Sequence, residues 1–328
     1  MLPEKALSFP FALQRQTFSY GKDSRTGRIP RNFPSSFTEM GKQIDPSHLE
    51  FAFERLSRTL GPIYTRMSTA NCDAQQSPIA LNTTANPVLL SDDNAIHLLN
   101  YNVPILGELV NNGHTAEFEP PANALTVPNW PRIQSKLLAN AKGYCFHQYH
   151  FHWGFRHIWG ANSGGSEHSL NGRQYPAELH LVHVAEDDHT TVVLAVLLDV
   201  YNGTGAKTAL PSDLSTLGHI KNAGQKVSLP LRSLRDVLPN FLSGNVQFIH
   251  YKGSLTTATE DAHKRRFCGE VADWLVLTEP AFVTDQQLDA LRALSDEKAN
   301  GIALNFRPVQ PTNTTVLQYS QSLASTFV

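Results

Sequence analysis

Several kinds of residue and segment are scarce in this sequence. It has only three cysteines among 328 residues, so at most one internal disulfide is possible, and their number alone does not say which two would pair. It has no apolar run of transmembrane length. Its start lacks the continuous apolar segment of a secretory signal, so we expect an exported form to have lost that signal. A formal net charge of −2 gives no support for a nucleic acid or membrane-surface partner.

The composition is that of a globular protein. With 41% hydrophobic and 17% charged residues, the chain can build a substantial core in one large or two ordinary domains. Three Asn-x-Ser/Thr sites occur, at Asn82, Asn202 and Asn313. Such sites arise often by chance, so they favour an exported glycoprotein only modestly.

The N-terminal part predicts one amphipathic helix after an irregular stretch over residues 1–45. Asp45 can cap this helix, Pro46 suits its first position, and Gly61 with Pro62 ends it, which predicts a helix near 46–60. Its apolar stripe consists of Leu49, Phe53, Leu56 and Leu60. The stripe leaves two interpretations open: packing on the main core, or contact with a partner such as a second copy of the chain.

From about residue 76 to 278 the sequence consists of short apolar or alternating runs broken by turn signals, which is typical of strands. The segment "DQQLDALRAL" near 285–294 predicts a late helix. There is no internal repeat and no low-complexity tract. These features favour one sheet-dominated domain with helical additions.

The stretch "QYHFHWG" places two histidines one residue apart in an aromatic strand. Side chains two residues apart in a strand share a face, so Gln148, His150 and His152 lie opposite the aromatic residues Tyr149, Phe151 and Trp153. The pattern leaves two interpretations open. The histidines are either two of the ligands of a metal, or polar residues hydrogen-bonded within a sheet.

A second strand, "AELHLVHVAEDD", offers the missing ligand. Glu178 and His180 share one face of it. If the two strands are neighbours, His150, His152 and His180 supply three nitrogens, and catalytic zinc commonly has three protein ligands and an open fourth position. Gln148 and Glu178 each precede a histidine by two residues, where an oxygen can fix the imidazole tautomer.

Four motifs in order, "QYHFHWG", "GSEHSLNGRQYPAELHLVH", "YKGSLTT" and "NFRPVQP", closely resemble those of alpha-class carbonic anhydrases, especially extracellular members. The resemblance covers about residues 72–312. It implies a mainly β (α+β) single domain, built on a large twisted, mainly antiparallel central sheet with peripheral helices. Residues 1–71 are then an N-terminal extension and 313–328 a C-terminal tail. The implied activity is reversible hydration of CO2 to bicarbonate and a proton by a zinc-bound hydroxide.

The resemblance also assigns roles at the site. His150, His152 and His180 match the zinc ligands, and their oxygen partners are Gln148, the backbone of Asn305 and Glu178. Thr256 matches the threonine that orients the attacking oxygen after donating its own proton to Glu167. Thr257 matches a residue that contacts bicarbonate. The apolar wall for CO2 matches Val182, Val193, Leu255 and Trp274, and His168 and His183 match buried structural histidines.

Two further assignments concern proton export and the N-terminus. His114 falls where the family keeps a proton-shuttle histidine, with Asn111 and Asn112 expected to line the water path. Imidazole titrates near neutral pH, which suits transfer to buffer. Tyr20 resembles the tyrosine of the family's N-terminal motif, although Phe18 stands where a tryptophan is usual.

The sequence departs from the family's pattern in two segments close to the motifs of the expected site. The text "TAEFEP" after His114 is about two residues short, and "ATEDAHKRRF" at 258–267 replaces two prolines before Cys268. Cys72 and Cys268 match the family's disulfide pair, which implies export to an oxidising compartment.

The resemblance leads us to expect inhibition by sulfonamides or anions. The amphipathic N-terminal segment makes a homodimer possible. A carbonic-anhydrase-like binding module without catalysis, and a zinc esterase, are the alternatives. The first is disfavoured because all three histidines are present with Thr256 and Glu167.

Overall fold

The computed structural model describes residues 75–124, 127, 129–140, 142–185, 190–201, 212–238, 245–256, 259–260, 266–267 and 272–322. All of them belong to one compact unit, Met67–Val328. Several sequence predictions lie outside the described residues: the helix near 46–60, Tyr20, Cys72, Asn202, Thr257 and Cys268. No helix of the described part is both long and apolar enough to cross a membrane.

The described chain is built mainly of strands. Numbered along the chain, they are β1 (Ala80–Leu81), β2 (Val88–Leu89), β3 (His97–Leu99), β4 (Ile105–Asn111), β5 (Ala116–Glu119), β6 (Arg132–Gln134), β7 (Tyr144–Trp153), β8 (Ser169–Leu170), β9 (Arg173–Gln174), β10 (Ala177–Val184), β11 (Thr191–Val200), β12 (Lys226–Arg232), β13 (Asn245–Gly253), β14 (Thr259–Glu260), β15 (Arg266–Phe267), β16 (Ala272–Leu277), β17 (Ala281–Val283) and β18 (Val316–Ser322). The helices are α1 (Leu234–Val237) and α2 (Asp285–Arg292), with 3₁₀ turns at Asp92–Asn94 and Ser212–His219.

One large twisted sheet organises the fold. Its main path runs β12-β4-β5-β7-β10-β11-β16-β13-β18-β2. Most neighbours are antiparallel, whereas β11–β16, β11–β17 and β18–β2 are parallel. The expected fold class, a mainly β (α+β) domain on a large, mainly antiparallel central sheet with peripheral helices, is therefore confirmed.

The central strands are buried on both faces. In β11, Val192, Leu194, Val196 and Leu198 join the larger apolar cluster, and the alternate residues Val193, Ala195 and Leu197 join a smaller one. A strand covered on both sides reads as a continuous apolar run, which explains "TTVVLAVLLDV". The two clusters fix the position of the neighbouring strands from both sides.

Strand β7 separates its aromatic residues from its histidines, as its alternation predicts. Tyr149, Phe151 and Trp153 are almost fully buried in the larger cluster. His150 and His152 project to the opposite face, where the smaller cluster lies. Burying a large aromatic side chain contributes about 1.5–3 kcal/mol, so these three residues hold the strand in place.

Helix α2 supports the end of β7. The predicted late helix is confirmed: Thr284 caps it, and Leu288 and Leu291 are buried. The guanidinium of Arg292 donates from Nε to the carbonyl of Gly154, one residue after β7, at 2.7 Å. The helix is therefore tied directly to the strand that carries two of the histidines.

Candidate metal centre

Three histidines from two neighbouring strands meet on one face of the sheet. β7 and β10 are antiparallel, and their register pairs His150 with His180 and His152 with Glu178. The ligand atoms of His150, His152 and His180 all lie within 4.8 Å of one another. The ring centroids are 4.9, 5.2 and 4.6 Å apart. A slip of one residue in this register would move the histidines of one strand to the other face of the sheet. The pairing of β7 with β10 therefore assembles the centre.

Each ring has an oxygen acceptor on the side away from the other two. His150 Nδ1 lies 2.9 Å from Gln148 Oε1, and His152 Nδ1 lies 2.9 Å from the carbonyl of Asn305. His180 Nε2 lies 2.9 Å from Glu178 Oε1. Because these nitrogens donate, the remaining Nε2, Nε2 and Nδ1 atoms carry the lone pairs. The arrangement places three lone pairs around one point.

The donor set fits a zinc ion. Two of the lone-pair nitrogens, Nε2 of His150 and Nε2 of His152, are only 3.0 Å apart. Burial, followed by the neighbouring imidazoles, lowers the pKa of His150 well below its ordinary value. Burial also lowers the pKa of His152, and the nearby Glu167 carboxylate offsets part of that shift. Neutral imidazoles are the form that binds a metal.

The acceptor of His180 belongs to a buried polar chain. Glu178 also accepts from Nδ1 of His168 at 2.6 Å and from the backbone N–H of His168 at 2.8 Å. His168 Nε2 lies 2.6 Å from the hydroxyl of Tyr251. Burial alone would raise the pKa of Glu178, but His168 and His180 outweigh burial and hold that pKa well below its usual range.

His168, Glu178 and His180 form a second cluster close enough for a metal. Its facing atoms are already hydrogen-bonded to one another, since Glu178 Oε1 accepts from both imidazoles. The first cluster, His150, His152 and His180, is therefore the better candidate metal centre. His168 then acts as a structural partner of Glu178.

A second carboxylate, Glu167, is fully buried beside the centre. Its Oε1 accepts the backbone N–H of Arg307 at 3.0 Å and lies 3.4 Å from His152 Nδ1. Its Oε2 lies 4.0 Å from His180 Nε2 and has no hydrogen-bond partner among the described residues. A buried carboxylate oxygen without a donor is costly, so it is an available acceptor at this site. Thr256 is buried in the segment that follows β13.

The residues of the predicted apolar wall lie close together, beside the histidines. Register places Val182, Val193 and Trp274 in one row across β10, β11 and β16. Val193 and Trp274 belong to the smaller apolar cluster, and Val182 and Leu255 pack against it. The Trp274 ring lies 4.9 Å from the His180 ring, edge to face. Its Nε1 donates to the carbonyl of Ser254 at 3.0 Å, which anchors the segment leading to Thr256.

His114 lies on the β4–β5 loop and is half-buried. The side-chain oxygen of Asn112 accepts the N–H groups of His114 and Thr115 at 3.0 and 2.9 Å. Gly113 has φ +86°, a left-handed conformation that favours glycine. Asn305 Nδ2 donates to the carbonyl of His114 at 3.0 Å. The loop is thus fixed to the same residue that positions His152.

Asn111 does not line the expected water path. Its side chain is fully buried, and its Nδ2 donates to the carbonyls of Lys221 and Ser295 at 3.1 and 3.0 Å. Its Oδ1 accepts the N–H of Gly113 at 2.9 Å. The prediction for Asn111 was wrong because its side-chain amide is hydrogen-bonded to the backbone of two segments distant in sequence, and such contacts cannot be read from the sequence.

Sequence reasoning missed Glu117. β5 pairs it with His150 of β7 and with Val110 of β4. Asn112 Nδ2 donates to Glu117 Oε2 at 2.6 Å. Burial, and then the nearby Glu119 carboxylate, raise the pKa of Glu117 to about 7, although the Asn112 hydrogen bond opposes this. Only the pairing of β5 with β7 reveals this neighbour, because 33 positions of sequence separate it from His150.

Comparison with known proteins agrees with this geometry. The family model for eukaryotic-type carbonic anhydrases matches residues 64–321, so the chain belongs to that family and is a carbonic anhydrase. It is 36% identical over 219 residues to "Putative carbonic anhydrase 3" of Caenorhabditis elegans, covering 66% of this chain and 79% of that protein. It is 31% identical over 266 residues to human carbonic anhydrase 6, covering 75% and 76%. The resemblance predicted from the motifs is confirmed.

Proposed function

We propose that the chain catalyses reversible hydration of CO2 to bicarbonate and a proton, with zinc held by His150, His152 and His180. One observation carries the proposal: ligand nitrogens of three imidazoles lie within 4.8 Å of one another, and each ring has an oxygen acceptor on its far side. Zinc bound by three neutral imidazoles lowers the pKa of a bound water to about 7 and so supplies hydroxide near neutral pH. Gln148, Glu178 and the Asn305 carbonyl hold the rings in the required tautomers.

Thr256 and Glu167 orient the attacking oxygen in this proposal. In this role the hydroxyl of Thr256 would donate to Oε2 of Glu167, the buried oxygen that has no hydrogen-bond partner among the described residues. The hydroxyl oxygen of Thr256 can then accept a hydrogen bond from the attacking group. This aims the nucleophile at CO2, which is a positioning effect. The backbone of Arg307 holds the other carboxylate oxygen in place.

CO2 binds against the apolar wall in this proposal. It carries no net charge or dipole, so an apolar surface beside the nucleophile holds it without competing for hydrogen bonds. Val182, Val193, Leu255 and Trp274 provide that surface next to His180. Thr257 follows Thr256 and is proposed to contact bicarbonate.

His114 exports the proton. Hydrogen bonds of Asn112 and Asn305 fix its loop, which leads into β5, the strand beside β7. A half-buried imidazole there can accept a proton from the site and release it to buffer. Tyr20 is a further proposed catalytic residue, on the resemblance of its motif alone.

We also propose that the chain is exported and forms a Cys72–Cys268 disulfide, as its resemblance to extracellular members implies. Asn82 and Asn313 are exposed and available for glycosylation in that compartment. Sulfonamides and simple anions are the proposed inhibitors.

Stopped-flow measurement of CO2 hydration tests the proposed function. The zinc-loaded protein is expected to hydrate CO2, to lose the activity with a strong chelator, and to regain it with zinc. His180→Ala is expected to abolish both zinc retention and hydration, while His147→Ala, on an exposed residue of the same β7, leaves both unchanged. A zinc-loaded protein with no hydration would reject the enzyme proposal, and failure to retain zinc would reject the metal centre.

A further inference from the structure

One row of paired residues crosses four neighbouring strands through the metal centre. Val110, Glu117, His150 and His180 follow one another across β4, β5, β7 and β10. Directly opposed residues of antiparallel strands project to the same face, with Cβ atoms about 4.5–5.5 Å apart. The carboxylate of Glu117 therefore stands on the face that carries the histidines, next in the row to His150.

The side-chain amide of Asn112 holds the Glu117 carboxylate in place. The oxygen of that amide already accepts the N–H groups of His114 and Thr115. Its nitrogen is thus the end that faces Glu117, where it donates to Oε2 at 2.6 Å. The hydrogen bond fixes the carboxylate without neutralising it.

No lysine, arginine or histidine of the described chain forms an ion pair with Glu117. Glu108, on the adjacent strand β4, differs in this respect because Lys226 Nζ lies 2.6 Å from its Oε2. Glu117 is partly buried, so solvent screens its charge less than it would screen an exposed carboxylate.

We propose that Glu117 is a specificity-determining residue that repels anions from the open position of the metal while leaving neutral CO2 unaffected. The inference rests on the proposed function, because it concerns ligands of the same centre. A fixed negative charge beside the site disfavours small anions and the bicarbonate product by simple Coulomb repulsion. CO2 has no charge for the carboxylate to act on. The residue thus favours entry of the substrate and departure of the product.

Thiocyanate binding to the Co²⁺-loaded protein tests this inference without measuring activity. Co²⁺ replaces zinc because its visible absorption changes when an anion enters its coordination. At about pH 8.5, E117Q is expected to lower the Kd of thiocyanate by about three- to tenfold. Glu117→Ala removes the same charge without adding an amide, and is expected to give the same direction of change. Imidazole, a neutral ligand, is expected to bind wild type and both variants equally.

Glu119→Gln is the matched control, because it removes one negative charge from the same strand at an exposed position two residues away. It is expected to leave the thiocyanate Kd within about twofold of wild type. The inference is overturned if E117Q and Glu117→Ala bind thiocyanate as wild type does, or if Glu119→Gln gives an equal gain. A wild-type protein that does not bind Co²⁺ would overturn the proposed function and this inference together.

Discussion

His152 and Asn305 are joined by a hydrogen bond of 2.9 Å between the ring Nδ1 and the backbone carbonyl. The side chain of the same asparagine donates to the carbonyls of His114 and Phe151, at 3.0 and 2.9 Å, and accepts the N–H of Trp153 at 2.7 Å. One fully buried residue therefore connects a proposed zinc ligand, the strand that carries it and the loop of the proposed shuttle.

Asn305→Ala is expected to lower the free energy of unfolding by about 2–4 kcal/mol, because it removes three hydrogen bonds to the backbone of His114, Phe151 and Trp153, of which only the Phe151 carbonyl keeps another donor among the described residues, Thr115 Oγ1. Chemical denaturation measures this change. Asn86→Ala, at an exposed position, is expected to change stability by less than about 0.5 kcal/mol. An Asn305→Ala protein as stable as wild type would contradict the assigned role.

Thr256 and Glu167 are expected to act as one unit. Thr256→Val removes the hydroxyl, and Glu167→Gln removes the acceptor charge, so each should lower kcat/KM for CO2 hydration by about a hundredfold. If the two residues work through a single hydrogen bond, the double variant should be little worse than either single variant. Zinc content measured on all three variants separates this effect from loss of metal. Fully additive losses would contradict the shared role.

His114→Ala is expected to slow CO2 hydration in dilute buffer by about tenfold or more, because proton export then lacks its relay. Added imidazole should restore the rate, and concentrated buffer should mask the defect. His219→Ala, in the 3₁₀ turn Ser212–His219, is the control and should behave as wild type. Equal rates for His114→Ala and wild type in dilute buffer would reject the shuttle.

The proposed Cys72–Cys268 bridge leaves only Cys145 as a thiol. Cys145 is buried on β7, with 6% of its surface exposed, so it should react only after denaturation. Thiol titration of the denatured, unreduced protein is expected to find one free thiol, and reduction should reveal three. Three thiols before reduction would reject the bridge and weaken the proposal of export.

The sequence predicts the chemistry of the site better than its surroundings. Alternation within β7 and β10 was enough to place His150, His152 and His180 on common faces, because side-chain direction in a strand follows from local geometry. Asn305 and Thr256 came only through the resemblance, since nothing local in either segment points to a metal centre.

Strand neighbours and local irregularities could not be read from the sequence. Glu117 is important only because β5 lies beside β7, and such pairing depends on the whole sheet. In β7 the register shifts so that Val182 pairs with Gln148 while His183 pairs with Phe146. The extra residue, His147, interrupts the simple alternation, so Phe146 packs near Tyr149 instead of projecting to the other face.

His183 should make stability depend on pH. Burial lowers its pKa from 6.5 to about 3, against the opposing effect of its hydrogen bond to the Leu181 carbonyl. The hydroxyl of Tyr101 lies 2.6 Å from its other nitrogen, Nε2, in the larger apolar cluster. In the unfolded chain His183 therefore binds a proton below about pH 6.5, whereas in the folded chain it binds one only at about pH 3.

The sign of this dependence follows from that difference. Stability is fully present above pH 6.5 and is lost as pH falls towards 3, by up to about 1.4 kcal/mol per pH unit. His183→Gln cannot be protonated, so its stability deficit relative to wild type should shrink as the pH is lowered from 7 to about 4. Denaturation of both proteins across this range measures the difference, in which the titrations of the other histidines cancel. A deficit that stays constant with pH would show that His183 is protonated equally in the folded and unfolded chains.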